Sequence, residues 1–456
     1  MKIKDTLTRT MREFVPINAG RINLFVCGPT VYNLVHVGNG RAFVVFDAFA
    51  KFLRSEGYEV FYLQNITDID DKIIDRAREE NRNWKEIAKE FLACYMDDMR
   101  DAGVDSVSHY APATNYVGEM VVQIRRLIEL GSAYETPDGV YYDISSFSDY
   151  GKLSGQNLDK IRSGARVEVN EDKRNPSDFV LWKKEKPGEP SWDSPWGRGR
   201  PGWHIEDTAI TESFLGDEYD IHGGGSDLIF PHHEAEIAQE RMISGKQYLS
   251  HYWMHSGMLN MGKEKMSKSQ GNIVTLRDVI SRHGKEAFRY FVLNSMYDSP
   301  LSYSEESLNA AGESVSRINE AFRKISGSRG AGKGKSIDSM SYEKRFRERL
   351  RNGFDTHGAI TEVLNLVAEL NRKEGDISAE EKSELMDFFR LVDSIYGIIR
   401  KDASHPDDSL IRNILSLRQE LRKKGDYSSS DAIRKALLDS GIEIQDKGNE
   451  TDWWYS

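Results

Sequence analysis

The segment Met261–Val274, MGKEKMSKSQGNIV, places three lysines, two serines and two glycines within fourteen residues. Lysine ammonium groups on a loop with glycine at both ends can close around a polyanion such as a triphosphate. The same composition is also typical of a solvated surface turn. The segment alone therefore leaves both interpretations open.

A second candidate site lies in the segment HVGNGR, His36–Arg41, between a predicted strand and a predicted helix. Gly38 and Gly40 carry no side chain, so a ligand can approach the backbone there. The helix that follows presents free N–H groups and the positive end of its dipole, which favour phosphate. His36 and Asn39 can donate hydrogen bonds to phosphate oxygens. A structural role for this histidine is the alternative.

Metal-binding residue types occur in the segment PHHEAE. His232 and Glu236 are four residues apart, so a helix would place both on one face. Cys27 ends the first predicted strand. Thiolate, imidazole and carboxylate are all zinc ligands. An ordinary structural role for these residues remains the alternative.

The elements that position these residues follow from hydrophobic spacing. Ile22–Val26 reads as a buried strand, residues 43–53 have helical spacing, and YEVFYLQNITDIDDK predicts a second strand. Strand, helix and strand form a βαβ unit, which favours a parallel sheet. Ligands bind at the carboxyl ends of such strands. We therefore expect Cys27, His36 and Thr67–Asp71 to share one crevice.

Composition excludes several classes of protein. The chain of 456 residues has a formal charge of −11 and a pI of about 5.6, which argues against a basic nucleic-acid coat. The sequence has no apolar run of about 18 residues, so no membrane span is predicted. The N-terminus has no signal-peptide pattern. With only Cys27 and Cys94, a disulfide framework is excluded and a reducing, cytoplasmic location is predicted.

The two loop segments together resemble the signatures of class I aminoacyl-tRNA synthetases, usually His-Ile-Gly-His and Lys-Met-Ser-Lys-Ser. The second is unchanged at Lys265–Ser269, and the first is altered to HVGN at His36–Asn39. Further blocks resemble the cysteinyl-tRNA synthetase family across essentially the whole chain. They are VCGPTVYN, NITDIDDKII, DKRNPSDFVLWK, GRPGWHIE, IHGGGSDLIFPHHEAEIAQ and YWMHSGML.

The resemblance implies an enzyme that activates L-cysteine with ATP, as cysteinyl-adenylate, and transfers it to the terminal ribose of tRNA(Cys). Magnesium is expected with the nucleotide. The implied catalytic residues are His36, Asn39, Lys265 and Lys268, and the implied ATP-binding residues are Gly38, Lys265, Met266 and Lys268. Asn39 replaces the family's second histidine, so it keeps a donor but cannot become cationic.

The family holds zinc with two cysteines, a histidine and a glutamate. The matching positions here are Cys27, Asp207, His232 and Glu236, so an aspartate stands where a cysteine is usual. Either the metal site is lost or Asp207 ligates through oxygen, which zinc accepts. Zinc would select cysteine over serine, because a thiol loses its proton to the metal far more readily than a hydroxyl does.

The resemblance also implies contacts with the other parts of the substrates. The residues matched to the amino-acid pocket are Thr67, Trp203, His204, His222 and Asp227, and those matched to the anticodon are Arg422, Asp431 and Asp446. The predicted domains are a Rossmann-type α/β catalytic domain over 1–300 with an insertion at about 84–200, a helical bundle over 301–403, and a small mixed α/β domain over 404–456.

Two other functions stay open at this point. A cysteine ligase with a non-tRNA acceptor would be expected to lack the anticodon-reading tail. A catalytically impaired tRNA-binding paralogue is kept open by Asn39 and Asp207, whereas the unchanged KMSKS segment argues against it. A monomer is favoured over a dimer.

Overall fold

The computed structural model describes residues 1–156, 172–261, 264–265, 274–332, 337–373, 376–400, 408–447 and 450–455. These residues divide into two units, Met1–Ile399 and Arg400–Ser456. The predicted boundary between residues 300 and 301 falls inside the first unit, so that finer division stays a prediction. Among the described helices, none has the length and apolar character needed to cross a membrane.

The strands of the described chain have the following bounds: β1 Lys2–Asp5, β2 Thr10–Glu13, β3 Arg21–Val26, β4 Glu59–Ile66, β5 His109–Pro112, β6 Ala133–Thr136, β7 Gly139–Tyr142, β8 Phe179–Lys184, β9 Gly199–Pro201, β10 Tyr219–Gly225, β11 Ser250–Ser256, β12 Leu259–Met261, β13 Glu264–Lys265, β14 Leu301–Tyr303, β15 Ile442–Lys447 and β16 Glu450–Tyr455.

Its α-helices are α1 Val37–Ser55, α2 Asp71–Glu79, α3 Trp84–Asp101, α4 Val117–Glu129, α5 Trp203–Leu215, α6 Glu234–Ser244, α7 Leu276–His283, α8 Lys285–Leu293, α9 Glu305–Gly327, α10 Ser339–Arg351, α11 Thr356–Arg372, α12 Ala379–Tyr396, α13 Asp408–Lys423 and α14 Tyr427–Asp439.

A five-stranded parallel sheet lies at the centre of the first unit, in the order β11–β10–β3–β4–β5. Its three central strands are almost entirely buried, as expected for parallel strands covered on both faces. Helix α1 crosses from β3 to β4 and packs against the sheet with most of its residues buried. This arrangement confirms the predicted βαβ unit and the α/β fold class.

The segment between β5 and β10 carries a second, antiparallel sheet in the order β6–β7–β8–β9. The sequence predicts a hairpin here with Asp138-Gly139 at its turn. The hairpin is present, but Gly139 pairs with Thr136 inside the ladder, so the turn residues are Pro137 and Asp138. A side chain at Gly139 would meet the Trp182 carbonyl, which explains the glycine.

The helices α9–α12 share the hydrophobic core of the first unit with α1. Arg289 on α8 connects the two regions, because it donates to Asp47 on α1 at 2.8 Å and to the Tyr396 carbonyl at the end of α12. Burial by itself would raise the pKa of Asp47, but Arg289 and Lys51 lower it below its usual value. Helix α1 is thereby fixed against helices α9–α12.

The second unit has a small core of its own, formed by α13, α14 and the antiparallel pair β15–β16. Ile411, Leu415 and Leu437 from the helices meet Ile442 and Ile444 from β15. The sequence predicts two helices, one strand and a Trp-rich end. The structure shows that this end is a second strand, β16, in which Trp453 pairs with Ile444.

Candidate functional site

The four predicted metal ligands converge in the buried interior of the first unit. Cys27 follows β3, Asp207 lies in α5, His232 precedes α6 and Glu236 lies in its first turn. One ligand atom from each lies within 4.8 Å of the others. His232 Nε2 is 3.0 Å from Asp207 Oδ2 and 3.2 Å from Glu236 Oε1. The structure therefore assembles one sulfur, one nitrogen and two oxygen donors at one point.

The negative charges at this point can be balanced by retained protons or by a bound cation. Asp207 Oδ1 is buried without a hydrogen-bond partner. Burial, followed by the charges of Asp207 and Glu206, raises the pKa of Glu236 well above its usual value. Burial and the charge of Asp207 likewise raise the pKa of the Cys27 thiol. A divalent ion would reverse both shifts and supply the partner that Asp207 lacks, so the donor set fits zinc.

A second donor set shares two of these residues. His233 Nε2 lies 3.1 Å and His222 Nε2 3.5 Å from Cys27 Sγ, and both meet Glu236 within the same 4.8 Å limit. Their other ring nitrogens are held by His255 Nε2 and Tyr219 Oη, each at 2.7 Å. Burial lowers the pKa of both imidazoles, which keeps them neutral and able to donate to a metal.

Two of the residues predicted to bind the amino acid lie directly beside the ligands. The Trp203 ring stacks on His232 with the ring centres 4.0 Å apart, and Trp203 is still 38% exposed. His204 Nδ1 is 2.8 Å from His232 Nδ1, and burial lowers the pKa of His204. A neutral His204 can accept a hydrogen bond from His232 Nδ1–H. The Nε2 of His232 is then unprotonated beside Asp207 and Glu236.

A cavity of about 580 Å³ opens beside Trp203 and His204. Aromatic residues Phe179, Phe230 and Tyr150 form part of its wall. Its polar wall consists of Asp70, Asp71, Gln156, Lys173, Ser177, Asp178, Lys183 and Arg200. The volume exceeds what a cysteine needs, so the space beside the candidate metal centre can hold a larger group as well.

The remaining predicted pocket residues have other contacts. Thr67 Oγ1 donates to Glu206 Oε1, which also accepts from Asn65 Nδ2 at 3.3 Å. The negative charge of Asp227 acts on His36, where it opposes the lowering of the His36 pKa by burial. Thr67 therefore contacts Glu206, the residue that precedes the candidate ligand Asp207, whereas Asp227 lies near His36.

The segment HVGN, His36–Asn39, forms the beginning of α1. His36 is the N-cap residue, and its Nδ1 accepts from the Asn39 backbone N–H at 3.3 Å. A Cβ at Gly38 would lie 2.9 Å from that Nδ1. Gly40 is different, because a Cβ there would strike Leu276 on α7. Gly38 therefore leaves room for the His36 ring and Gly40 for the packing of α7, and the approach of a ligand to this backbone stays a prediction.

Of the second signature, the structure describes Lys265 only as part of the short strand β13, paired with Asn260. The remaining residues of this prediction, Gly262, Met266, Lys268 and Gly271, lie outside the described residues. The phosphate-clamp role of Lys265 and Lys268 stays a prediction.

In the second unit, two of the predicted anticodon residues are paired with each other. Asp446 accepts from Arg422 Nη1 at 2.5 Å and from both terminal nitrogens of Arg418 at 2.8 and 3.0 Å. Arg418 is buried and has no role in the sequence analysis. Asp431 lies on α14. Contact of Arg422, Asp431 and Asp446 with bases stays a prediction, and the Arg418–Asp446 pair first of all stabilises this unit.

We expect Asp446→Asn to lower the free energy of opening of the second unit by about 1–3 kcal/mol at pH 7, because it removes charged hydrogen bonds to the buried Arg418. Arg418 lowers the pKa of Asp446, so the stabilisation is present above the unfolded pKa near 4 and is lost as the pH falls below it. Hydrogen exchange of the full chain, read on peptides from 408–447, measures this loss. The exposed Asp439→Asn should change little, and equal effects from both variants would contradict the prediction.

The fold and the site together match the catalytic domain of a class I aminoacyl-tRNA synthetase. The parallel sheet has the N-terminus of a helix after β3, a buried donor set beside its strand ends and a helical region after it. The family model described as tRNA synthetases class I (C) catalytic domain matches residues 13–313. The fold is similar to Mycobacterium tuberculosis methionyl-tRNA synthetase in complex with methionyl-adenylate. That match has a TM-score of 0.62 at 16% identity, over 83% of this chain and 92% of that chain.

The chain belongs to the cysteine–tRNA ligase family. It is 51% identical over 456 residues to the cysteine–tRNA ligase of Thermoplasma volcanium, and the match covers 100% of both chains. It is 41% identical over 470 residues to that of Pyrococcus horikoshii, covering 99% of this chain and 98% of the relative. These matches confirm the resemblance seen in the separated sequence blocks.

Proposed function

We propose that this chain is a cysteine–tRNA ligase that binds zinc through Cys27, Asp207, His232 and Glu236. Its proposed substrates are L-cysteine, ATP with Mg²⁺, and tRNA(Cys), and its proposed location is the cytoplasm. The observation that carries the proposal is the convergence of these four donors within 4.8 Å at the carboxyl ends of the parallel strands. Family membership supports the same substrates.

The reaction requires no protein nucleophile. The cysteine carboxylate attacks the α-phosphate of ATP, which releases pyrophosphate and leaves cysteinyl-adenylate. A hydroxyl of the terminal tRNA ribose then attacks the adenylate carbonyl and releases AMP. Catalysis of the first step rests on positioning and on neutralising phosphate charge. His36, whose Nδ1 caps the start of α1, would hold phosphate oxygens through its Nε2, and Lys265 and Lys268 would hold the departing pyrophosphate.

The role of the metal centre is the selection of the substrate thiol. Zinc, when bound, would coordinate the cysteine thiolate and discriminate against the serine hydroxyl. Two neighbouring side chains would support this role: His204 would fix the tautomer of His232 by accepting from its Nδ1–H, and Trp203 stacks on the imidazole. Asp207 has the same formal charge as the thiolate that the family places there, so the charge of the site is kept.

ATP–pyrophosphate exchange that depends on cysteine, followed by aminoacylation of tRNA(Cys), tests the proposal. The expected result is exchange with cysteine and charging of tRNA(Cys). Exchange without charging would favour a ligase with a non-tRNA acceptor. Charging is the expected result because the chain carries a folded second unit at the position of the predicted anticodon domain. The absence of any exchange would favour the catalytically impaired paralogue.

The aspartate ligand leads to a prediction about selectivity. Oxygen is a harder donor than sulfur, so Asp207 should leave zinc a stronger Lewis acid and less selective for thiols. We expect Asp207→Cys to retain zinc and to widen the ratio of kcat/KM for cysteine over serine by roughly tenfold. Asp207→Asn, which has the same shape without the charge, should lose zinc instead. An unchanged ratio in Asp207→Cys would contradict the role given to Asp207.

A further inference from the structure

A separate group of carboxylates lies further along the two helices that carry the metal ligands. Glu212 belongs to α5, Asp217 follows that helix, and Glu240 belongs to α6. One carboxylate oxygen from each lies within 4.8 Å of the others. Glu212 is five residues beyond Asp207, and Glu240 is four beyond Glu236. This group, here called the outer carboxylate group, has no part in the function proposed above.

Glu240 is the member that requires explanation. Its side chain is fully buried, and its Oε1 has no hydrogen-bond partner. Its other oxygen lies 3.4 Å from Gln123 Nε2, a long contact, whereas the same nitrogen donates to Glu212 Oε2 at 2.5 Å. A buried carboxylate oxygen without a partner is costly. The negative charges of Glu212 and Asp217 also act on Glu240, so repulsion adds to this cost.

The positive charge beside the group is insufficient to balance it. Arg126 on α4 donates to Glu212 Oε1 and offsets one of three formal negative charges. Burial, followed by the charge of Glu212, raises the pKa of Glu240 to about 8, and Arg126 only partly opposes this. The group therefore needs either a retained proton or a bound cation to be stable at neutral pH.

We propose that the outer carboxylate group binds one hard divalent cation of the Ca²⁺ or Mg²⁺ class. All of its donors are oxygens, the ligand type that these ions prefer, and it offers no sulfur or nitrogen ligand. Oxygens on opposite sides of a Ca²⁺ ion are about 4.8 Å apart, since each Ca–O distance is about 2.4 Å. The observed spread of the oxygens is within this limit.

The ion would connect the elements that position the thiol-selecting centre. Glu212 and Asp207 share α5, and Glu240 and Glu236 share α6. A cation between Glu212 and Glu240 holds these helices together one to two turns from the zinc ligands. Gln123 on α4 contacts both carboxylates and accepts from Thr208 Oγ1 at 2.9 Å, so a third helix is attached to the same point.

Calorimetric titration of the full-length protein with Ca²⁺ tests the proposal. Ca²⁺ is suited as a probe because it has little preference for the thiolate and imidazole donors of the other centre. We expect one Ca²⁺ per chain, displaceable by Mg²⁺. Asp217→Asn changes an exposed ligand and should still fold, and we expect it to raise the Kd at least about tenfold. Glu240→Gln should abolish binding.

Glu218→Gln is the matched control, because Glu218 is adjacent to Asp217 but pairs with Lys246 and His251. It should bind Ca²⁺ as the unaltered protein does. Ca²⁺ should also raise the Tm of the unaltered protein and of Glu218→Gln, should raise that of Asp217→Asn less at the same Ca²⁺ concentration, and should leave that of Glu240→Gln unchanged. The proposal would be overturned by the absence of stoichiometric binding. It would also be overturned if Asp217→Asn and Glu240→Gln both bound Ca²⁺ as tightly as the unaltered protein. A Tm that falls as the pH rises toward 8, and that does not respond to Ca²⁺, would identify a retained proton instead. None of these results bears on cysteine activation, which is measured separately.

Discussion

Replacing His232 with alanine is expected to leave roughly a tenth or less of the zinc that the unaltered protein retains. It should also lower cysteine-dependent ATP–pyrophosphate exchange at least about a hundredfold in kcat/KM. The reason is geometric: His232 Nε2 lies between Asp207 Oδ2 and Glu236 Oε1, so its removal leaves two buried carboxylates facing each other with only Cys27. Elemental analysis of the purified protein and exchange kinetics measure the two effects.

The control and the competing ligand set sharpen this experiment. His251→Ala removes an imidazole from β11, where its ring contacts Glu218 and Tyr248, and should change neither zinc content nor exchange. His233→Ala removes one of the two nitrogen donors of the second set, the one that lies 3.1 Å from Cys27 Sγ. If His233→Ala loses zinc while His232→Ala keeps it, the ion is held by Cys27, His222, His233 and Glu236 instead. Unaltered protein without zinc would contradict the metal proposal for both sets.

The sequence predicts the fold and the centre of the site to different depths. The βαβ unit follows from hydrophobic spacing, and the i, i+4 spacing of His232 and Glu236 indicates a shared position. The reason differs from the one expected, because His232 lies in an irregular turn, Ile229–His233, before α6 begins at Glu234. Asp207 could be identified only through the family resemblance, because no local pattern marks an aspartate inside a helix as a ligand.

The residues that the sequence analysis missed are those whose roles depend on distant chain segments. His233 and His255 lie in the segments PHHEAE and YWMHSG, and they contact each other at 2.7 Å. The contact depends on the pairing of His255 on β11 with Gly224 on β10 and on the turn Ile229–His233 that follows β10. Gly40 reads as part of a phosphate loop, although Leu276 determines its size. The sequence does show histidine-rich segments at the ends of predicted strands. It does not show the order of the strands in the sheet, which is needed to bring these segments together.

Arg41 follows the HVGNG signature directly, and the structure gives it a position that its sequence context does not indicate. Its guanidinium is fully buried and donates to five backbone carbonyls, and burial lowers its pKa to about 10, so it stays charged at neutral pH. The carbonyls are those of Gly257, Met258, Met296, Tyr297 and Ser299. Arg41 therefore joins the start of α1 to the chain that enters β12 and the lysine segment.

We expect Arg41→Met to lower the free energy of unfolding of the first unit by about 3–5 kcal/mol, because methionine leaves these carbonyls buried without donors. Urea unfolding followed by tryptophan fluorescence measures the change. Arg54→Met, on the same helix but exposed, should cost about 1 kcal/mol or less.

In the absence of urea, folded Arg41→Met should retain its zinc but show a pyrophosphate-exchange rate about tenfold lower, since the segment leading from Gly257 to the lysines is no longer fixed to the histidine signature. A variant as stable and as active as Arg54→Met would show that water satisfies these carbonyls and that α1 and the lysine segment are positioned independently. Loss of zinc together with activity would instead show that the change spreads to the centre at Cys27, and that the proposed nucleotide side and thiol side of the site do not respond independently.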